Sequence, residues 1–370
     1  MKRDNLPAYI GCGIACLLAL CALILHFLQE DTCRSTADEA DRTSVVRRAR
    51  LVFAGDLMQH TTQINAARTP DGSFDYSESF QYVRDLFREA DAAILNFETT
   101  LTPHKPYTGF PRFRSPAQIA DALKDIGIDI VALANNHICD NGLAGISFTR
   151  EYLDSCGIVA TGVFTDSLQY RALHPLHFVA RGIHFALLNY TYGTNGMAIP
   201  GNAIVNLTDT ATIASDLARI DRRMTDCVIV FFHWGEEYAR RPDDRQRMLD
   251  AFCRQRGADM VIGSHPHTIQ PFEEHIDADS ITRAVTVYSL GNLVSNQRWR
   301  YSDGGLIAVI DVEKEDGRQL RIRLTPVPVW VLMPDYRILP EWVADTIGMT
   351  GQQRAMYRRF VEDTHELLGL

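Results

Sequence analysis

Val261-Ile-Gly-Ser-His-Pro-His-Thr-Ile-Gln270 sets two histidines, His265 and His267, directly after the apolar run Met260–Ile262, which reads as a buried strand. The Gly263-Ser264 pair allows a sharp turn at the strand's end, and Pro266 fixes φ between the two imidazoles. In an extended loop residues i and i+2 face the same way, so this spacing offers both rings to one ion or to two adjacent ones. A His-x-His pair alone is a common feature of solvated loops. Its meaning depends on what the other strand ends carry.

Working outward, short apolar runs bounded by turn residues alternate with amphipathic segments, the signature of an α/β protein with buried strands. Strands are expected at Leu51–Ala54, Ala92–Leu95, Ile128–Leu133, Ile183–Asn189, Cys227–Phe232 and Met260–Ile262. Helices are expected at Phe80–Glu89, Ala117–Ile126, Leu143–Ser155, Ala211–Arg223 and Asp244–Arg256. After Ile281 the pattern changes to strands with close turns (Ala284–Leu290, Leu306–Val312, Leu320–Pro326), which predicts a second sheet closing a sandwich on the first. Gly351–Leu368 reads as a terminal helix.

Most of these strands end in ligand-type residues: Asp56 and His60, then Asn96 and Glu98, then Asn135, Asn136, His137 and Asp140. His233, Glu236 and Glu237 follow the fourth such strand, His265 and His267 the fifth, and Asn292 the run Ala284–Leu290. Ligands of open α/β sheets bind at the carboxyl ends of the strands. Carboxylates gathered there with almost no Lys or Arg repel one another unless a cation neutralises them, and Asp, Glu, Asn and His are hard and borderline ligands. The joint reading is a metal site.

The 370-residue chain is 46% hydrophobic and 22% charged, ordinary for a globular domain with a sizeable core. A net charge of −9 argues against a nucleic-acid-binding surface. Ala8 to Leu28 is an apolar run of bilayer-spanning length, preceded by Lys2 and Arg3 and followed by Glu30 and Asp31. That asymmetry predicts one transmembrane anchor with the rest of the chain outside the cell. A cleaved signal peptide is the rival reading, disfavoured by the long apolar stretch and the lack of a clear Ala-x-Ala site. The expected organisation is a cytoplasmic stub and anchor (1–28), a flexible linker (29–48), one domain (49–345) and a C-terminal helix packed on it (346–370). Of eight cysteines, three (Cys12, Cys16, Cys21) fall in the anchor. The other five (Cys33, Cys139, Cys156, Cys227, Cys253) are scattered, so buried free thiols are expected rather than a disulfide framework.

Six stretches together carry a resemblance: Gly55-Asp-Leu-Met, Asn96-Phe-Glu, Leu133-Ala-Asn-Asn-His with Asp140-x-Gly142, His233-Trp-Gly-x-Glu-Tyr238, Gly263-Ser-His-Pro-His267 with Gln270, and Tyr288-Ser-Leu-Gly-Asn292. In this order the chain resembles the bacterial capsule-synthesis CapA family, associated with poly-γ-glutamate, within the calcineurin-like metallophosphoesterase superfamily. The resemblance implies a four-layer α/β/β/α sandwich with two divalent metal ions (Mn, Fe or Zn) between the sheets. By motif, Asp56 and His267 bind the first ion, Glu98 bridges both, and Asn136, His233 and His265 bind the second. His137 is the acid at the leaving oxygen, with Asp140 spaced to orient it.

One position departs from the superfamily pattern: Met58 stands where a histidine is usual, and His60 either replaces it or merely lies nearby. The implied protein is a single-pass cell-membrane protein with an extracytoplasmic, metal-dependent hydrolase domain. It would act on a phosphate or amide substrate or an anionic polymer, beside membrane-embedded polymer synthase subunits. The competing expectation is a non-catalytic assembly or export subunit that binds polymer, helped by loop arginines Arg112, Arg114, Arg240, Arg241, Arg298 and Arg300. A nuclease is the least supported reading, because no basic track is visible.

Overall fold

The computed structural model describes residues 45–315 and 317–370. The proposed anchor and most of the proposed linker lie outside the described residues. Among the described residues no helix is long and apolar enough to cross a membrane.

The first strands among the described residues are β1 (Val46–Leu57), β2 (Ala92–Phe97), β3 (Ile130–Ala132) and β4 (Val159–Thr161), which pair in parallel in that order. A short strand β5 (Val163–Phe164) precedes the hairpin of β6 (Leu176–Ala180) and β7 (Ile183–Thr191) and later pairs with β8 (Ile204–Val205). Next come β9 (Cys227–His233), β10 (Met260–Ser264), β11 (Phe272–Ile276) and β12 (Thr282–Val287). The last strands are β13 (Asn292–Val294), β14 (Gly304–Glu315), β15 (Arg321–Leu332) and β16 (Arg337–Pro340). They assemble into an eight-stranded sheet, β16-β15-β14-β1-β2-β3-β4 with β13 on β1, and a six-stranded sheet, β11-β12-β10-β9-β7-β6.

The alternation of side chains along β1 shows why the strands read as unbroken apolar runs. Leu51 and Phe53 face the second sheet and join Ile94, Leu187, Phe231 and Ile262 in one core, while Val52 and Ala54 face the opposite way. On that outer side they meet Ile119, Leu123 and Ile126 of the helix Gln118–Ile126, and Ile146 and Leu153 of the helix Gly142–Ser155. The far face of the six-stranded sheet packs Val228, Val230 and Val261 against Ile213 and Leu217 of the helix Thr210–Ala218 and Leu249 and Cys253 of the helix Asp244–Arg254. Three apolar layers thus separate helix, sheet, sheet and helix.

Three expectations need correction. Of the strands after Ile281, only β12 joins the second sheet. β12 completes it, but β13 to β16 extend the first, because β14 sits beside β1. Phe80–Glu89 is not one helix but two short ones, Ser77–Phe80 and Arg84–Arg88. Phe80, Val83 and Phe87 are all buried, so the helical spacing survives the break between them. The helix Thr210–Ala218 stops five residues short of the expected end.

The terminal helix Gly351–Leu368 lies where expected, capped by Thr350 and packed on β15, with Tyr357 edge-on to Trp330 at 6.0 Å. Among the described residues Cys139, Cys156, Cys227 and Cys253 are free thiols, and three of them are buried.

Candidate metal centre

Asp56 is aimed by a local irregularity in β1. The register against β2 shifts between Ala54 and Asp56, the mark of a bulge, and a Cβ at Gly55 would lie 2.0 Å from the carbonyl oxygen of Gly291. Only glycine permits that approach, and it lets the Asp56 amide donate to the same carbonyl at 2.9 Å. On the facing sheet Gly263 has the same role: a Cβ there would lie 2.0 Å from the Tyr288 carbonyl oxygen, which receives the Trp234 indole N–H at 2.8 Å. Beyond it the chain is not extended. His265 and His267 both have positive φ (96° and 57°), so the rings are set by left-handed backbone rather than by strand alternation. Their planes are 60° apart with centroids 5.8 Å apart. Such conformations cost energy for a non-glycine residue and persist where the surroundings hold them.

The carboxyl ends of β1, β2, β9 and β10 and the loop after β3 converge on one buried cluster. His267 Nδ1 is 3.0 Å from Asp56 Oδ2, and the His265 backbone N–H is 3.3 Å from both Asp56 carboxylate oxygens. Glu98 Oε1 is 3.9 Å from His267 Nε2 and 3.7 Å from His233 Nε2. His233 Nε2 lies 3.0 Å from Asn136 Oδ1, a separation that suits a hydrogen bond or two ligands of one ion. Donor atoms within 4.8 Å of one another form two triplets that share a carboxylate, Asp56–Glu98–His267 and Glu98–His233–His265. All five residues are buried, and no Lys or Arg pairs with Asp56 or Glu98 among the described residues.

The electrostatics suit a cation. Burial, with the charges of Asp56 and Glu237 adding to it, pushes the Glu98 carboxyl well above the usual range. Burial, reinforced by neighbouring histidines, holds His233 and His265 well below theirs. Neutral imidazoles are the form that ligates metals. Glu98 Oε1 and His265 Nδ1 are buried without a hydrogen-bond partner. Orphaned buried polar atoms are costly, and a divalent ion among these donors would satisfy both. The residues present therefore fit such an ion.

His137 stands beside the cluster. Its Nδ1 is 2.9 Å from Asp140 Oδ2, which also accepts the Phe113 N–H at 2.7 Å, and the Phe113 ring meets the imidazole edge-on at 4.6 Å. With Nδ1–H directed at Asp140, Nε2 is the acceptor nitrogen, 3.5 Å from the Asn195 Nδ2 donor. His137 also lines a cavity of about 570 Å³ together with Met58, His267, Glu237 and Trp299.

His60 is on the wall of the same cavity, outside both triplets. Its Nδ1 is 3.0 Å from Gln63 Oε1 and 3.2 Å from the Asn296 amide, and burial drives its pKa down to about 4. It does not take the place of the histidine absent at Met58. Two of the loop arginines are likewise engaged elsewhere: Arg300 pairs with Asp363 at 2.8 Å, and Arg240 donates to the Asp363 carbonyl at 2.7 Å. Arg298 lines the cavity but donates to the Val331 and Ser295 carbonyls.

Three further residues belong to the centre: Asn96, which the sequence places at a strand end without a ligand role, and Asn195 and Tyr192, which the sequence reading does not single out. Asn96 is its hub, with Nδ2 2.8 Å from Asp56 Oδ1 and 3.3 Å from His233 Nδ1. Asn195 accepts from Asn136 Nδ2 at 3.2 Å, and the Tyr192 ring lies 4.5 Å from that of His265. Both follow β7, and the run Thr191-Tyr-Gly-Thr-Asn195 was the available signal: one more strand end with ligand-type polar residues.

Comparison with known proteins agrees with the motifs. The family model described as bacterial capsule synthesis protein PGA_cap matches residues 50–297, more than half of the chain. The chain belongs to that family. It is 28% identical over 294 residues to the PGA biosynthesis protein CapA of Bacillus subtilis (strain 168), covering 76% of this chain and 72% of that protein. It is 28% identical over 239 residues to the capsule biosynthesis protein CapA of Bacillus anthracis, covering 62% and 56%. A probable polyglutamine synthesis accessory protein of Mycobacterium tuberculosis (strain ATCC 25618 / H37Rv) is 30% identical over 200 residues, covering 50% of this chain and 51% of that one. Two solved structures align over 76% of this chain, a Thermus thermophilus protein (99% of that chain, 11% identity, TM-score 0.36) and a purple acid phosphatase of yellow lupin seeds (54%, 13%, 0.30).

Proposed function

We propose that this member of the capsule-synthesis family is a membrane-anchored, metal-dependent hydrolase that works on a phosphate or amide linkage during assembly of poly-γ-glutamate or a related surface polymer. The observation that carries this reading is the pair of donor triplets sharing Glu98, with Glu98 Oε1 and His265 Nδ1 buried and unpartnered. Asp56, Glu98 and His267 would hold one ion. Glu98, His233, His265 and Asn136 would hold the other. When bound, such a pair supplies Lewis acidity toward a carbonyl or phosphoryl oxygen and a water nucleophilic at neutral pH.

The chain's own groups do the rest. Asn96 fixes Asp56 and His233 relative to one another through its single side-chain amide. Asp140 orients the His137 ring through Nδ1, which leaves Nε2 as the nitrogen that would exchange a proton with a leaving oxygen. The buried cluster floor excludes water from all but the cavity side.

The test is metal analysis of the purified full chain, with hydrolysis of generic phosphodiester and γ-glutamyl amide substrates by wild type and by Glu98→Ala and His265→Ala. A wild-type chain that takes up no divalent ion sinks the proposal. A chain that takes up ions but turns over neither substrate favours a non-catalytic polymer-binding subunit, a reading to which the Met58 departure gives some support. The anchor is tested separately, by protease accessibility of the domain on intact cells, where protection of the domain would contradict an extracytoplasmic location.

A further inference from the structure

The donor cluster has a third member group, one that the motif-based ligand set leaves out. Glu237 places a carboxylate oxygen within 4.8 Å of donor atoms of both His265 and His267. The backbone explains how an exposed residue is held there. After β9 ends at His233, the Trp234 N–H donates to the Ser264 carbonyl at 3.1 Å. Gly235 turns the chain at φ +84°, and Tyr238, at φ 66°, donates its N–H to the Pro266 carbonyl at 2.7 Å. Thr268 Oγ1 and Gln270 Nε2 both donate to the Ala239 carbonyl, at 2.9 and 3.0 Å. The loop 234–239 is thus fastened along the loop 265–270, and Glu237 lies across the His265/His267 pair.

Three further observations converge on this carboxylate. Met58 withholds a nitrogen from the Asp56–Glu98–His267 triplet, and His60 does not supply one. His265 Nδ1 is an unpartnered donor atom on a side chain that is 2% exposed. Finally, Glu237 brings a further carboxylate to the His265/His267 side of the cluster, near enough to Glu98 to act on its charge, and no Lys or Arg is paired with Glu98 or Asp56 among the described residues. Such convergence is repulsive unless a cation lies between the groups.

We propose that Glu237 is itself a metal ligand, closing the cluster from its solvent side opposite the buried Glu98 and supplying the donor that the Met58 position lacks. This assignment rests on the two-ion reading above. A rim carboxylate also lowers the excess positive charge of the centre and stands on the cavity side, where substrate enters.

The experiment is titration of Mn²⁺ into the metal-stripped full chain, with stoichiometry by elemental analysis and affinity by calorimetry, for wild type, Glu237→Gln and Glu236→Gln. Glu236 is the control, because it is an exposed neighbour of the same charge that belongs to none of the donor groups. Glu237→Gln is expected to weaken at least one Mn²⁺ site by more than the about 10–100-fold typical of losing an outer-shell partner, while Glu236→Gln binds as wild type does. Two Mn²⁺ bound by Glu237→Gln with wild-type affinity overturns the assignment. So does an equal loss in Glu236→Gln, which would trace the effect to long-range charge. A wild-type chain that binds no Mn²⁺ sinks the two-ion reading and takes the role of Glu237 with it, a result distinct from either of the others.

Discussion

At its beginning β1 carries Arg48 and Arg50, which pair with Glu313 and Asp311 of β14 at 2.8 Å each; at its far end the same strand delivers Asp56 to a cluster that no Lys or Arg among the described residues pairs with. Around the first end Arg323 also reaches Asp311 at 2.8 Å, and Arg181 reaches Asp91 at 2.6 Å. Burial alone would raise the Asp311 carboxyl, but Arg50 and Arg323 hold it below its usual value. Glu98, at the other end, is driven upward by burial and neighbouring carboxylates, with no guanidinium among the described residues to oppose it. One sheet therefore contains carboxylates whose charge the protein neutralises itself and carboxylates whose charge it leaves open. The direction of the shift distinguishes a structural ion pair from a site that needs a cation from outside.

The sharpest way to break this contrast is Glu98→Gln. In the wild type, saturating Mn²⁺ is expected to raise stability by about 2.7 kcal/mol per site at a hundredfold excess over Kd. In Glu98→Gln that gain disappears, because the carboxylate shared by both triplets is gone, while the metal-free variant is at least as stable as metal-free wild type. Thermal unfolding with and without Mn²⁺ measures both. A Mn²⁺-induced shift that survives the substitution would show that Glu98 is not the shared ligand.

A second test uses pH on the metal-free chain. His60 titrates at about 4 in the folded protein against 6.5 when unfolded. Between those values the unfolded state binds the extra proton, so stability is lost as pH falls from 6.5 toward 4, by at most roughly 3 kcal/mol for this one group. His233 and His265, also lowered, act with the same sign. His60→Asn keeps a capping residue at the start of the helix Thr61–Ala66 and removes the proton. Urea unfolding at pH 7 and pH 5 should show a smaller drop in the variant than in wild type, and an equal drop would remove His60 from the account.

How much of this contrast can be read from sequence follows from what burial does to pattern. Parallel strands covered on both faces appear as apolar runs, so β1, β2, β9 and β10 and the residues at their ends are legible, and with them Asp56, Glu98, His233, His265 and His267. Sheet order is not legible. The alternation in β14 and β15 is the same whichever sheet they join, and only hydrogen bonds place β14 beside β1 and β15 beyond it. The pairing of Arg50 with Asp311 is hidden for the same reason, since 261 residues separate the partners. The left-handed backbone at His265 and His267 is a third gap: the spacing brings both rings to one site, but an extended loop was the wrong cause.

Asp140 marks an intermediate case, a carboxylate at the site end whose partners are the Phe113 N–H and the His137 ring rather than an arginine. Asp140→Asn keeps the shape but no longer favours Nδ1–H on His137. On substrates the wild type hydrolyses, it is expected to lower the rate about 10–100-fold, the usual cost of losing an orienting partner, with Mn²⁺ stoichiometry unchanged. A loss of bound metal instead would place Asp140 in the ligand set.

The smallest effect belongs to the arginine end. Asp311→Asn removes the shared partner of Arg50 and Arg323, two guanidinium groups that are 44% and 74% exposed at the side chain. Pairs this open to solvent are worth about 0.2–1 kcal/mol each, and less at high salt. The variant should lose no more than that by urea unfolding, with the difference shrinking as salt is added and with Mn²⁺ binding untouched. The pH sign is the same as for His60, though the cause is attraction to two guanidinium groups rather than burial. A carboxyl held below its usual value contributes above the unfolded pKa and loses that contribution as pH falls through the acid range, so wild type and Asp311→Asn should converge in stability at low pH. If they stay apart there, packing around Asp311 rather than its charge is what the substitution removes.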